Sequence, residues 1–302
     1  MMFYLDPPIR LKAATRVTLP PEWVAPRRSD WADCQLGGRL LGSFLEGPCF
    51  DGHGNLYLVD IPFGRIIRVS EDGRPELVTT YEGWPNGLKI LRDGRILVAD
   101  HRLGLVEINA RGEAVVLVDN YRGERFRGLN DLTIGPNGWI YFTDQGQSGL
   151  QEPNGAVYRW NISSLRLERI LTGIPSPNGL VLSRDANWLF VAVTRANAIW
   201  RLPFVRDGGV SKVGIFLNLS GGGGPDGLAM DCEGGLIVAQ PGLGVLRFDE
   251  AGRLTHIVDV PEGTSTSNIT FGENDSRVLF IADSAGSRIL AVEMPFAGAT
   301  VS

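Results

Sequence analysis

Short apolar runs recur along this chain of 302 residues, and a turn sequence precedes each of them. NLYLVD follows DGHG, RILVAD follows RDG and WIYFTD follows GPNG, while WLFVAV, GLIVAQ and VLFIAD follow comparable turns. The equivalent positions in the six runs are Leu56, Ile96, Ile140, Leu189, Leu236 and Leu279. Successive positions are 40, 44, 49, 47 and 43 residues apart, without helical periodicity between them. All-β units of this length, each with about four strands, predict a six-bladed β-propeller.

The last unit provides only three strand sequences, NITFG, VLFIAD and RILAVEM. We expect a strand from the N-terminal part, around residues 37–44 (GGRLLGSF), to complete this blade, because ring closure removes a free sheet edge. Residues 1–35 are then predicted to form an extension packed on the propeller, and residues 36–302 a single propeller domain. The alternative architecture is a β-sandwich or two smaller β domains.

The composition indicates which partners the protein binds and in which cellular compartment it works. The net charge of -5 argues against binding to nucleic acid, and no apolar stretch approaches the ~18 residues of a membrane span. The N-terminal MMFYLDPPIR does not resemble a signal peptide. Three cysteines, Cys34, Cys49 and Cys232, form neither an even set nor a C-x-x-C motif, which favours reduced thiols in the cytoplasm. The oligomeric state stays open, a homo-oligomer included.

A second repeat precedes the apolar runs. An oxygen-bearing side chain, surrounded by small or apolar residues, lies ten or eleven residues before each of the six equivalent positions. These ring residues are Glu46, Asn86, Asn130, Asn178, Asp226 and Asn268. Because the first strand of each blade lines the central channel of a propeller, equivalent positions converge on its axis. We therefore expect the six side chains to meet at one mouth of the channel.

Two of the ring residues, Glu46 and Asp226, are carboxylates, and neither has Lys or Arg beside it in the sequence. Buried carboxylates without a cationic partner are costly. A hard cation held by carboxylate and amide oxygens resolves this cost, and Ca²⁺, Mg²⁺ or Mn²⁺ suits such oxygens better than Zn²⁺. The alternative is a repeated turn, since Asn or Asp before Gly is ordinary turn chemistry. Glu46 argues against that alternative because Glu is a poor turn residue.

In these segments the chain resembles the SMP-30/gluconolactonase/luciferin-regenerating-enzyme family. FLEGPCFDGHGNLYLVDIPFGRIIRV is similar to the opening blade of the family, and GLNDLTIGPNGWIYFTD, SPNGLVLS and PDGLAMDCEGGLIVA are similar to its other signature segments. The resemblance implies one divalent metal ion held by Glu46, Asn130, Asn178 and Asp226. It implies Ca²⁺ first, with Mg²⁺, Mn²⁺ or Zn²⁺ as alternatives.

The resemblance also implies hydrolysis of a small-molecule lactone. The metal ion would polarise the carbonyl group, and Asp226 would act as general base on the attacking water or, alternatively, as a direct nucleophile. No G-x-S-x-G motif is present to supply a serine nucleophile. Two other functions stay open, namely hydrolysis of organophosphates at the same site and a non-catalytic ligand-binding propeller with a structural metal.

Four further residues are expected to contact the substrate. Asn86 and Asn268 are the remaining ring members, while His101 in VADHRLG follows a second-strand run and Asp144 in YFTDQGQ ends one. The alternatives are a hydrogen-bonded loop histidine and a strand cap. Sugar lactonases of the family often carry Arg two residues before the first metal-binding Asn, and Gly128 stands there in this chain. Recognition of a polyhydroxylated lactone is therefore not indicated.

Overall fold

The computed structural model describes residues 6–206, 208–274 and 276–299, and nearly all of its regular structure is β-strand. Six sheets of the blade type surround a central channel, which confirms the predicted six-bladed propeller. The first strands of successive blades contact one another in a closed cycle, so the inner strand of each blade lines the channel. None of the helices in the described part of the chain is long and apolar enough to cross a membrane.

The strands follow the repeat order of the sequence. Two N-terminal strands are β1 (Ile9–Lys12) and β2 (Ala14–Thr18). Blade 1 contains β3 (Leu45–Phe50), β4 (Leu56–Asp60), β5 (Arg65–Val69) and β6 (Pro75–Thr80). Blade 2 contains β7 (Pro85–Ile90), β8 (Ile96–Asp100), β9 (Gly104–Ile108) and β10 (Ala114–Val118), and a hairpin of β11 (Asn120–Tyr121) and β12 (Glu124–Arg125) follows. Blade 3 contains β13 (Leu129–Ile134), β14 (Trp139–Asp144), β15 (Gly155–Asn161) and β16 (Leu167–Ile174).

The second half of the ring is built in the same way. Blade 4 contains β17 (Pro177–Leu182), β18 (Trp188–Val193), β19 (Ala198–Pro203) and β20 (Gly214–Asn218). Blade 5 contains β21 (Leu228–Met230), β22 (Leu236–Gln240), β23 (Gly244–Phe248) and β24 (Leu254–Asp259). Blade 6 contains β25 (Thr266–Phe271), β26 (Val278–Asp283) and β27 (Arg288–Glu293). The helices are α1 (Asp30–Gln35) and the short 3-10 helices Pro21–Trp23, Ile61–Phe63, Pro136–Gly138 and Thr194–Ala196.

The hydrophobic core lies between the faces of neighbouring blades. Between blades 1 and 2, Val59 and Ile66 share one fully buried cluster with Leu88, Val98 and Val106. Comparable clusters fill the other blade interfaces. Burying each Val, Leu or Ile side chain contributes about 1.5–3 kcal/mol relative to leaving it exposed. The apolar runs of the sequence therefore supply the packing that holds the blades in a ring.

An N-terminal strand closes the ring, but it is not the predicted one. Strand β2 pairs antiparallel with β27 as the fourth strand of blade 6, while β1 adds a parallel fifth strand to blade 5 through β24. The expectation that residues 37–44 supply the closing strand is wrong. Gly37 and Gly38 have φ values of +62° and +81°, which interrupt an extended strand. Val17 of β2 is instead buried between blades 6 and 1.

Candidate metal centre and cavity

The six ring residues lie on the inner strands, or immediately before one. Glu46 belongs to β3, Asn86 to β7, Asn130 to β13, Asn178 to β17 and Asn268 to β25, while Asp226 precedes β21. In the five blades where the residue lies within the strand, the pairing register shifts at this point. Such β-bulges re-aim a side chain. The repeated polar residue is thus a strand residue at a bulge and not part of a repeated turn.

Glycines after the ring residues let the inner strands approach one another. A Cβ atom on Gly47 would lie 2.5 Å from the carbonyl oxygen of Asn86 in the next blade. Gly87, Gly179 and Gly227 each lie equally close to the inner strand of the following blade. Any side chain at these positions would push neighbouring blades apart. The repeated pair of a polar residue and glycine therefore reflects close packing around the channel.

A cavity of about 650 Å³ opens above the ring. Five ring residues line it, namely Glu46, Asn86, Asn130, Asn178 and Asp226. The first four are buried and Asp226 is half-buried. The sixth, Asn268, does not line the cavity, and its Oδ1 accepts a hydrogen bond of 2.8 Å from the backbone N–H of Ile269. The floor of the cavity thus consists of carboxylate and amide groups.

Three carboxyl groups lie close together below this cavity. Burial raises the pKa of Glu46, and burial together with the charges of Glu46 and Asp131 raises the pKa of Asp226 well above its usual range. Burial also raises the pKa of Asp131. Lys89 of β7 opposes these effects, since its charge lowers the pKa of both Glu46 and Asp131. When all three carboxyl groups are ionised, they and the one ammonium group leave two negative charges, which one divalent cation would neutralise.

The donor atoms fit such a cation. The Oδ1 atom of Asn178 is buried without a hydrogen-bond partner, and its side chain hydrogen bonds to Asp226. One carboxylate oxygen of Glu46, Oε2, accepts from the N–H of Gly47 at 2.9 Å. Within the described residues, no group of three or more His, Cys, Asp or Glu side chains is arranged to bind a metal, so a cation site here would have to include amide oxygens. Oxygen donors of this kind suit a hard divalent ion.

The loop before β21 positions Asp226 rigidly. The backbone N–H of Asp226 donates to the carbonyl oxygen of Ala239 at 2.9 Å. The Thr194 hydroxyl donates to the carbonyl oxygen of Pro225 at 2.8 Å. Gly224, with a φ of +92°, packs so closely on the backbone of Thr194 that no side chain fits there. This glycine-rich loop therefore fixes a carboxylate at the cavity and is not followed by the helix that a phosphate-binding loop requires.

His101 lines the cavity at the end of blade 2. Its Nε2 lies 2.7 Å from the amide nitrogen Nε2 of Gln147, and its ring lies 5.9 Å from that of Trp84 between centroids. Because an amide N–H donates, the hydrogen bond assigns Nε2 as acceptor and Nδ1 as the protonated nitrogen. Burial lowers the pKa of His101 to about 4. The imidazole is therefore neutral near pH 7.

Asp144 lies outside the cavity lining. Its carboxylate accepts hydrogen bonds of 3.0 Å from the backbone N–H groups of Arg127 and Gly146. These bonds tie the end of β14 to the approach to β13. Asp144 thus holds the backbone on which Asn130 and the adjoining cavity loop are built.

Two elements of the cavity wall were missed in the sequence. Helix α1 contributes Trp31 and Gln35, and a ten-residue loop at 145–154 connects β14 to β15 where the other blades use three or four residues. Ser29 caps α1 by accepting a hydrogen bond of 3.2 Å from the N–H of Ala32. A serine followed by acidic residues is the signal that could have indicated this helix. The longest repeat interval, 49 residues, was the signal for the loop.

Comparisons with known proteins agree with this architecture. The family model described as the SMP-30/Gluconolactonase/LRE-like region matches residues 44–285. A gluconolactonase of Zymomonas mobilis is 32% identical over 273 residues, covering 79% of this chain and 76% of that protein. A lactonase of Staphylococcus saprophyticus is 30% identical over 223 residues, covering 70% and 68%. The structure of a gluconolactonase of Xanthomonas campestris superposes with a TM-score of 0.74 at 28% identity, covering 93% and 99%.

Proposed function

Because the chain belongs to the SMP-30/Gluconolactonase/LRE-like family, we propose that it is a metal-dependent hydrolase that opens a lactone ring. The lactonase activity of its relatives supports the reaction class. The observation that carries the metal dependence is the cavity floor, where two carboxylates with raised pKa values lie beside an unsatisfied amide oxygen of Asn178. A floor of this kind binds a cation better than it binds water.

Glu46, Asn130, Asn178 and Asp226 would hold one divalent ion through their side-chain oxygens. The donor chemistry favours Ca²⁺, then Mg²⁺ or Mn²⁺, over Zn²⁺, which prefers nitrogen and sulfur donors. When bound, this ion supplies Lewis-acid polarisation of the lactone carbonyl. Asn130 and Asn178 fix its position without adding charge, so the charge balance with Lys89 is kept.

Asp226 is the proposed general base. It is the ring carboxylate with the greater exposure to the cavity, and its backbone is held by Ala239 and Thr194. The carboxylate takes a proton from water, the water oxygen bonds to the carbonyl carbon, and the ring C–O bond breaks. Asp226 then returns this proton to the former ring oxygen, which becomes the hydroxyl group of the opened product. A base contributes about 10²–10⁴-fold to such a reaction.

Asn86 and His101 are proposed to contact the substrate, because both line the same cavity as Glu46. Asn268 and Asp144 lie outside the lining. Asn268 would act through Glu46 and Asp131, to which its side chain hydrogen bonds, and Asp144 through the backbone that it holds. Reducing conditions suit this chain, since its three cysteines are free thiols. We therefore propose a cytoplasmic hydrolase acting on a small-molecule lactone.

The test is a titration of released acid on a panel of lactones, with Ca²⁺, Mg²⁺, Mn²⁺ or Zn²⁺ added to chelator-treated protein. We expect turnover that disappears with chelator and returns with metal. Turnover of aryl phosphotriesters but not of lactones would favour the organophosphate alternative. A rise in melting temperature with metal, but no turnover of either substrate class, would favour a binding propeller.

A further inference from the structure

One side of the cavity is apolar, although the floor is polar. Trp31 and Leu36 from α1 and its end, Phe44 before β3, and Ile61 after β4 line this side, which we call the α1 wall. The rings of Trp31 and Phe44 lie 5.0 Å apart between centroids, inclined at 60°. Trp31 is 6% exposed and Ile61 1%, whereas Leu36 is 39% exposed and lines the cavity. The wall is thus a packed surface with one accessible leucine.

The opposite side of the cavity is mostly polar, although the exposed Leu150 of the blade 3 loop also lines the cavity. Blade 4 lies across the ring from blade 1, and it contributes Ser176 and Arg195, while the loop of blade 3 adds Gln147. Arg195 has no ion-pair partner among the residues that the structure describes. A polyhydroxylated ring fits this division poorly, because hydroxyl groups turned toward the α1 wall would lose their hydrogen bonds to water without replacement.

Hydrogen bonds and packing hold the α1 wall in place. The N–H of Leu36 donates to the carbonyl oxygen of Ala32 at 2.9 Å, and Ser29 caps the other end of the helix. Ala32 is completely buried, and α1 packs on the 3-10 helix Ile61–Phe63. A preformed apolar surface binds an apolar group without the cost of ordering the wall.

We infer that the substrate is a lactone that carries an apolar alkyl or aryl substituent, with the ester above Glu46 and Asp226 and the substituent on the α1 wall. This inference rests on the proposed lactonase function and specifies its substrate class. Each methylene group that the wall removes from water is expected to raise kcat/KM by about fourfold. The α1 wall, whose residues other than Ile61 precede blade 1, then determines specificity for a reaction performed by the ring.

The experiment measures kcat/KM of the metal-loaded protein for γ-lactones whose side chain is absent, ethyl or pentyl, and for glucono-δ-lactone. We expect kcat/KM to rise with side-chain length and to be lowest for the sugar lactone. Leu36→Asn should lower kcat/KM for the pentyl lactone by about 5–20-fold and leave the unsubstituted lactone within about twofold. The matched control is Leu40→Asn, because Leu40 is 59% exposed and does not line the cavity.

A second variant removes more of the wall. Trp31→Ala should abolish the dependence on side-chain length, and a thermal melt establishes that the protein is folded. A flat dependence on chain length with preference for glucono-δ-lactone would overturn the inference and leave lactone hydrolysis standing. Absence of turnover for every lactone, with metal bound, would overturn the inference together with the proposed function.

Discussion

The imidazole ring of His101 lies directly against the α-carbon of Gly128. A Cβ atom at position 128 would lie 2.5 Å from Cε1 and 2.7 Å from Nε2 of this ring. The φ of Gly128 is +152°, at the edge of the region that glycine adopts most readily. Position 128, two residues before Asn130, therefore cannot carry a side chain while His101 keeps its observed position.

Gly128→Ala is expected to displace His101 from its place in the cavity and to raise KM for the preferred lactone by about tenfold, which corresponds to about 1.4 kcal/mol. The measurement is a double-mutant cycle with His101→Ala, in which the effect of Gly128→Ala should largely vanish. Gly173→Ala is the matched control, because Gly173 has a φ of +78° but no atom within 4 Å of its added Cβ. Equal KM effects at positions 128 and 173 would contradict the steric pairing.

His101 should also mark the acid limit of stability. Its pKa is lowered to about 4 in the folded protein, below the ordinary value of 6.5, so the unfolded chain binds the proton more readily. Stability is therefore lost as pH falls from about 6.5 toward 4, by at most about 3 kcal/mol and by less where water enters the cavity. Urea unfolding between pH 4 and 7 measures this loss.

His101→Gln should flatten this pH dependence, whereas His53→Gln at an exposed turn should not. The imidazole of His101 should stay neutral between pH 5 and 8, so it should add no step to the pH–rate profile there. A slope in urea stability that is the same with and without His101 would remove this residue as its source.

Asp226→Asn should lower kcat by about 10²–10⁴-fold at saturating metal, because an amide cannot accept the proton of the attacking water. The same substitution should stabilise the metal-free protein, since it removes a carboxylate that burial and Glu46 disfavour. Thermal melts after chelation measure this second effect. Asp93→Asn serves as control on the surface, where the Asp93 side chain is 54% exposed. Full activity of Asp226→Asn would exclude the proposed base.

Removal of metal should destabilise the protein in a pH-dependent way. Because the pKa of Glu46 is raised to about 8, the metal-free protein should lose stability as pH rises from the ordinary carboxyl range toward 8. Metal at 100 times its Kd should add about 2.7 kcal/mol at neutral pH. Melting curves with and without chelator at pH 5 and 8 test this, and an equal metal effect at both values would contradict it.

Lys89→Met should bind the divalent ion about 3–10-fold more tightly, because the ammonium group repels a cation near Glu46 and Asp131. Calorimetric titration of metal into chelator-treated protein measures the change. Lys12→Met provides the control, since Lys12 lies on the outer strand β1. Weaker binding by Lys89→Met would mean that Lys89 organises the site instead of balancing its charge.

The sequence predicted the ring of blades because each blade repeats the same local signal. Leu56 and Ile96 begin β4 and β8, and the equivalent positions of the other four runs lie in the second strands of their blades. The closing strand was misassigned because pairing between β2 and β27 joins segments about 270 residues apart, and no local pattern encodes such a partner. The six ring residues could be found from their spacing alone. That one of them, Asn268, lies outside the cavity lining, as Asp144 does, depends on the packing and could not be predicted from the sequence.

The α1 wall and the effect of Lys89 on the carboxyl groups could not be predicted from the sequence for a different reason. Helix α1 has six residues, too few for a hydrophobic period to stand out, and its contact with Ile61–Phe63 is tertiary. Lys89 lies far in sequence from the carboxylates on which it acts. Charge balance inside a channel is a property of the closed ring, so it becomes visible only once the blades are assembled.

Because β2 closes blade 6, the ring cannot close until β27 has been synthesised. Strand β2 emerges from the ribosome early, whereas its partner β27 follows about 270 residues later. At about 5–20 residues per second, β2 waits roughly 15–55 s for its partner. The strands of blades 1 to 5 all emerge in that interval, before the ring can close. Such non-local pairing is slow and exposes strand edges to aggregation. The yield of folded protein from cells should therefore depend on growth temperature and on chaperones that cover exposed strand edges.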